Sequence, residues 1–153
     1  GGRLKIEAQG RDASVDASAT DGSWTAGDVV PQLRVDADWI EARLGDASVV
    51  VLDVRTAEEF AEGRIPGAVH VEWTANVHAD GPDVGTLLDE ADLQALYADL
   101  PKDATIVVTC RSGARAAMSW AVLPTLGFTD VRLHDGSWNE WSAGDYPIEA
   151  DGS

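Results

Sequence analysis

The sequence predicts an α/β fold, a mostly parallel central sheet flanked by helices on both faces, and three observations predict it. Ser48–Val54 is a continuous apolar run of strand length, the signature of a central parallel strand covered on both sides. Ile106–Val108 repeats that character as a second buried strand. Strands and helix-forming segments alternate at short spacing along the chain, the pattern of βαβ units with right-handed crossovers. At 153 residues and 44% hydrophobic content the chain can build one real core.

Taken in order, Gly1–Gly10 has the makings of one short helix, and the Asp/Ala/Ser/Gly stretch up to Val30-Pro31 shows neither helical nor strand periodicity and reads as a linker. The organisation expected is an extension over residues 1–34 and a catalytic domain over residues 35–150. Asp36 caps a helix over Ala37–Leu44, which Gly45 ends. After the Ser48–Val54 strand, Thr56 and Glu59 form a capping box that opens a short helix through Glu62. Gly63–Gly67 breaks the chain, Ala68–Val71 resumes as a strand, and Asn76–Thr86 is loop. Asp89–Leu100, with Leu93, Leu96 and Tyr97 on one stripe, is an amphipathic helix closed by Pro101. A helix from Arg115 is expected to be cut by Pro124, followed by a strand over Asp130–Leu133 and a turn and short helix over Asp135–Trp141.

The stretch Thr105–Met118 carries the chemistry. It delivers the chain's one cysteine, Cys110, from the carboxyl end of a strand into a short basic turn at a helix N-terminus, which is where open α/β sheets place ligands. Orphan backbone N–H groups and the helix dipole favour an anion there, and Arg111 and Arg115 add positive charge, so a nucleophilic sulfur able to carry an anionic adduct is expected. Gly113 allows the positive φ that such a turn needs.

A net charge of −16, with Lys5 and Lys102 as the sole lysines, argues against nucleic acid and anionic membrane partners. Either general surface acidity or adaptation to a salt-rich cytoplasm, where screening relieves the self-repulsion, accounts for it. One cysteine excludes an internal disulfide and fits a reducing, cytoplasmic compartment. His70, His78 and His134 are scattered without carboxylates at ligand spacing, so neither a metal nor another cofactor is expected. The chain opens on Gly1 without a charged-then-apolar leader and is expected to be a processed chain or a fragment.

Leu52-Asp-Val-Arg55, Glu58-Glu-Phe60, Gly63-Arg-Ile-Pro-Gly-Ala68, Cys110-Arg-Ser-Gly-Ala-Arg115 and Asp135-Gly-Ser-Trp138 with Trp141 resemble, in that order, the rhodanese (sulfurtransferase) domain. The match runs from about Val35 to Glu149 and looks most like the carboxyl-terminal, catalytic half of tandem thiosulfate or mercaptopyruvate sulfurtransferases. Gly1-Gly2, Ile6 and Gly10 echo Gly136-Ser137, Trp141 and Gly144, so the N-terminus resembles the tail of a preceding repeat.

The resemblance implies a rhodanese-like fold and transfer of a sulfane sulfur through a persulfide on Cys110 to cyanide, a thiol or an acceptor protein. It implies that Arg111, Ser112, Gly113, Ala114 and Arg115 hold the donor, with Asp53, Arg55 and Trp138 in support. Arg111 follows the thiosulfate pattern, Ser112-Gly113 is shared with the mercaptopyruvate pattern, and Arg115 is similar to single-domain rhodaneses; thiosulfate is the expected donor, mercaptopyruvate the second. The family usually has His where Arg64 stands. Two other readings stay open: a non-catalytic rhodanese-like binding or regulatory module, and a cysteine phosphatase or arsenate reductase. Four residues separate Cys110 from Arg115, one fewer than phosphatase loops enclose, and Ala116 occupies their arginine position.

Overall fold

A computed structural model describes residues 33–151. The short helix and linker expected before Val30, and the echo at Gly1–Gly10, lie outside the described residues. Five parallel strands make one sheet in the order β1-β5-β4-β2-β3: β1 (Arg34–Val35), β2 (Val49–Asp53), β3 (Val69–His70), β4 (Thr105–Thr109) and β5 (Asp130–His134). Five α-helices connect them: α1 (Ala37–Glu41), α2 (Ala57–Glu62), α3 (Glu90–Leu96), α4 (Ala116–Thr125) and α5 (Ser137–Ala143). The expected architecture of a parallel sheet in helical layers is therefore observed, and β1 takes in Arg34, one residue before the expected domain start.

The pleat of β4 sorts the core. Ile106 and Val108 point to the face that α3 and α4 cover through Leu93, Tyr97 and Leu123, while Val107 points to the face that α1 and α5 cover through Ile40 and Trp141. Burial on both faces explains the unbroken apolar run. Local signals set several boundaries. The Asp36 side chain accepts the Trp39 N–H at 2.9 Å, both hydrogen bonds of the Thr56/Glu59 capping box form, and Gly45 turns the chain after α1 at φ +82°.

Four expectations differ from the structure. α1 ends at Glu41 and not at Leu44, the last residues before Gly45 closing i→i−3 turns from Arg43 N–H to the Ile40 carbonyl and from Leu44 N–H to the Glu41 carbonyl. Pro124 does not cut α4, which continues to Thr125. The proline cannot donate to the Trp120 carbonyl, and the helix ends one residue beyond it. The loop after β3 begins as a 3₁₀ turn, Trp73–Asn76, and Val77 pairs with Leu87, so its base is hydrogen-bonded. α3 stops at Leu96, where the backbone bonds tighten to i→i−3 from Ala98 N–H onward, and Tyr97 keeps its place on the inward stripe: its hydroxyl donates to Asn76 Oδ1 at 2.6 Å, and Asn76 Nδ2 donates to Ser119 Oγ at 3.3 Å. That buried polar knot ties the 3₁₀ turn, α3 and α4 together and satisfies every polar atom it buries.

Candidate active site

The site is built along the carboxyl edge of the sheet, where Asp53, Thr109 and His134 end the adjacent strands β2, β4 and β5. Cys110 follows Thr109 directly and is 1% exposed. The chain then folds back so that the Gly113 N–H donates to Cys110 Sγ at 3.2 Å. Gly113 does this at φ +87°, in the left-handed region, and a Cβ there would stand 3.0 Å from the Asp135 carbonyl oxygen. Both features demand glycine. Among the described residues, no acceptor receives the backbone N–H groups of Arg111, Ser112, Ala114 or Arg115. The turn before α4 therefore offers free donors beside the sulfur, as an anion site requires.

The other wall is the Asp135–Trp138 turn. Trp138 N–H donates to the Cys110 carbonyl at 2.9 Å and Asn139 N–H to the Arg111 carbonyl at 3.0 Å, so α5 starts by holding the backbone of Cys110 and its neighbour. Ser137 is held at φ +53°, an unfavourable conformation for a residue with a Cβ. There its Oγ accepts the Cys110 N–H at 3.2 Å and donates to the His134 carbonyl at 2.7 Å. A hydroxyl has one proton, so Cys110 Sγ, 3.9 Å from that oxygen, is in contact with it but receives no hydrogen bond while His134 holds the proton.

Behind this wall His134 is fully buried, with Nδ1 3.1 Å from Thr109 Oγ1 and Nε2 2.9 Å from Glu140 Oε2. Burial pushes its pKa below the usual imidazole value against the pull of Glu140. The neutral ring then donates from one nitrogen and accepts at the other, bracing β4 against α5.

Two arginine–carboxylate pairs flank the Cys110 loop, one buried beneath it and one partly exposed. Asp53 and Arg55 are 1% and 2% exposed. Arg55 Nε and Nη2 bond the Asp53 carboxylate at 2.9 and 2.6 Å, Nη2 also donates to the Gly63 carbonyl at 2.7 Å, and the guanidinium lies 4.3 Å from the centre of the Trp138 ring. These three residues are thus one packed unit beneath the loop. The second pair is Arg115 with Glu59, in an end-on fork in which Nη1 and Nη2 donate to the two carboxylate oxygens at 2.7 and 2.9 Å. Arg111 is 65% exposed along its side chain and reaches the same Glu59 at only 3.5 Å. Hydrogen bonding from Arg115, ahead of that from Thr56 and Arg111, holds the Glu59 carboxyl down at a pKa of about 2.

The remaining residues singled out by sequence sit elsewhere. Arg64 pairs with Glu149 and Asp151 and packs on Phe60, tying down the C-terminal segment. His70 stacks on Phe60 with ring centres 4.7 Å apart. Trp141 is fully buried, bonding the Pro147 carbonyl at 2.9 Å. Among the described residues no three His, Cys, Asp or Glu side chains cluster to hold a metal, and no helix is long and apolar enough to cross a membrane. Glu59, Ser137 and Thr109 are the site residues that sequence reasoning missed. Glu59 registered only as a cap, although a capping box at the carboxyl edge of a sheet already aims its N3 carboxylate toward the site.

Comparison with known proteins places this geometry. The rhodanese-like domain family matches residues 36–144. A thiosulfate sulfurtransferase of Corynebacterium glutamicum is 40% identical over 111 residues, covering 61% of this chain and 35% of that protein. A thiosulfate sulfurtransferase of Pseudomonas aeruginosa is 30% identical over 123 residues, covering 73% of this chain and 44% of its own length. The chain thus spans less than half the length of either relative. In structure, the Alr3790 protein of Anabaena sp. superposes with a TM-score of 0.59 at 23% identity, over 76% of this chain and 91% of that one, and so shares the fold.

Proposed function

The chain belongs to the rhodanese-like domain family, and from that premise we propose that it is a sulfurtransferase carrying a sulfane sulfur on Cys110, with thiosulfate as its donor. The observation that carries the reading is Cys110 Sγ at the carboxyl edge of the sheet, 3.2 Å from the Gly113 N–H and beside further backbone donors. In the first step the Cys110 thiolate attacks the outer sulfur of thiosulfate, a new S–S bond forms, the old one breaks, and its electron pair leaves with sulfite. In the second, cyanide or a thiolate takes the outer sulfur and returns the thiolate of Cys110. Charge balances in both steps, and no redox partner is required.

The anion moves from the thiolate to the terminal sulfur of the persulfide, and a turn of fixed N–H groups follows it without reorganising. Arg111, exposed at the rim, is the side chain that meets the sulfonate of the donor and releases it as sulfite. Ser112 and Ala114 line the same exposed turn and contribute through their backbone. The loop length supports sulfur over phosphate, because α4 begins with Ala116 where a phosphatase loop needs its arginine. Mercaptopyruvate is the competing donor, its carboxylate meeting Arg111 in the same way.

The test is the mass of the protein after thiosulfate or mercaptopyruvate treatment. One added sulfur on Cys110, discharged by cyanide as thiocyanate, is expected, and Cys110→Ala should abolish both while melting like the wild type. Thiocyanate production that survives in Cys110→Ala defeats the proposal.

A further inference from the structure

The Glu59 carboxylate lies between the guanidinium groups of Arg111 and Arg115 and contacts both. Its Oε2 accepts from Thr56 N at 3.1 Å and Arg115 Nη1 at 2.7 Å, and its Oε1 from Arg115 Nη2 at 2.9 Å and Arg111 Nη1 at 3.5 Å. The carboxylate's acceptor sites are thereby filled. The two arginines are held unequally. Arg115, 26% exposed, is locked in a planar fork, whereas Arg111, 65% exposed, makes one bond at the limit of hydrogen-bonding distance and is free to turn. One carboxylate against two guanidiniums leaves the rim a single net positive charge facing a dianionic donor and a dianionic product.

We infer that Glu59 is a positioning residue of the donor site: it keeps Arg115 out of contact with the donor and leaves Arg111 as the sole guanidinium that exchanges partners. This deepens the sulfurtransferase reading and rests on it for the identity of the anion. The physical gain is release. A rim with two unopposed arginines would bind thiosulfate tightly, but it would hold sulfite equally well, and uniform tightening does not speed turnover. The internal carboxylate tunes the anchor so that sulfite leaves.

Glu59→Gln tests this with little risk to the fold, because glutamine at the third helical position also completes a capping box. Sulfite affinity by calorimetry and the KM for thiosulfate are measured on wild type, Glu59→Gln, Glu59→Gln/Arg115→Gln, and Glu58→Gln as a control. Glu58→Gln removes one charge from the same exposed helical turn. Glu59→Gln should bind sulfite about tenfold tighter and lower KM by a similar factor, as expected for one added charge-assisted hydrogen bond, with kcat falling as product release slows. The double variant should return to within about twofold of wild type, and Glu58→Gln should not differ from it. Unchanged or weaker sulfite binding in Glu59→Gln overturns the inference, as does a double variant that binds as tightly as the single one. If Glu59→Gln is poorly folded, the double variant decides: sulfite affinity near wild type upholds the neutral pair, and a tenfold loss defeats it. Sulfite binding needs no turnover, so variants that show these shifts while the wild type forms no Cys110 persulfide defeat the sulfurtransferase reading and not the role of Glu59.

Discussion

The two arginine–carboxylate pairs that flank the Cys110 loop use the same chemistry to opposite ends. Asp53 and Arg55 are two residues apart in sequence and almost wholly shielded from water, and Arg55 is pinned by the Gly63 carbonyl and the Trp138 ring as well as by its carboxylate. Glu59 and Arg115 are 56 residues apart and about a quarter exposed, and their carboxylate is shared with a solvent-facing Arg111. A buried pair cannot exchange its partner, because either ion left alone would be stranded in a medium that solvates it poorly. The solvent-facing Arg111 can release its share of the Glu59 carboxylate, because water and an incoming anion compensate the break, while Arg115 keeps its two bonds. The first pair therefore sets the framework under the loop, and the second sets the charge that a donor meets.

Breaking the framework should have the largest effect. Arg55→Leu strands the Asp53 carboxylate and should lower unfolding free energy in urea by about 3–5 kcal/mol. A loss no larger than that of a surface pair would erase the distinction between the two. At the rim, Arg111→Ala should leave the melting temperature unchanged and reduce kcat/KM for thiosulfate by about 1.5–3 kcal/mol in transition-state terms, the range for a charge-assisted hydrogen bond. Equal turnover by wild type and Arg111→Ala would remove Arg111 from the donor site.

Ser137 sharpens the comparison from the framework side. Ser137→Ala keeps the φ of +53° and leaves the Cys110 N–H without its acceptor, and should destabilise by about 1–3 kcal/mol. Ser137→Gly relieves the backbone conformation while losing the same bond, and should be the more stable of the two. Alanine matching glycine would mean that the turn stores no strain.

The smallest effect is the pH dependence of the rim. Glu59 is depressed from 4.5 to about 2 in the folded protein, so the stability it contributes is fully present above about pH 4.5 and is lost as pH falls toward 2. Denaturant titrations from pH 6 to pH 2 should show wild type more stable than Glu59→Gln at the upper end and the gap closing toward the lower. Exposure of the pair to water keeps this gap small. A gap that persists at pH 2 would mean that Glu59 acts through packing and not through its charge.

The sequence alone determined the α/β layering, the place of Cys110 at a strand end and the length of the loop that follows it. Those features are local or periodic: an apolar run long enough to be covered on both faces, a lone cysteine at a strand end, a glycine where the backbone must turn left-handed, a box of Thr56 and Glu59 three residues apart. It also identified both loop arginines, as equals. Only the tertiary structure separated them, because the carboxylate that distinguishes Arg115 from Arg111 belongs to a helix 56 residues earlier. The same holds for Ser137, which reaches the Cys110 backbone across 27 residues, and for His134, whose burial between Thr109 and Glu140 no local pattern announces. Charge and burial are sums over everything the fold brings within a few ångströms, and for these side chains most of that surrounding comes from elsewhere in the chain.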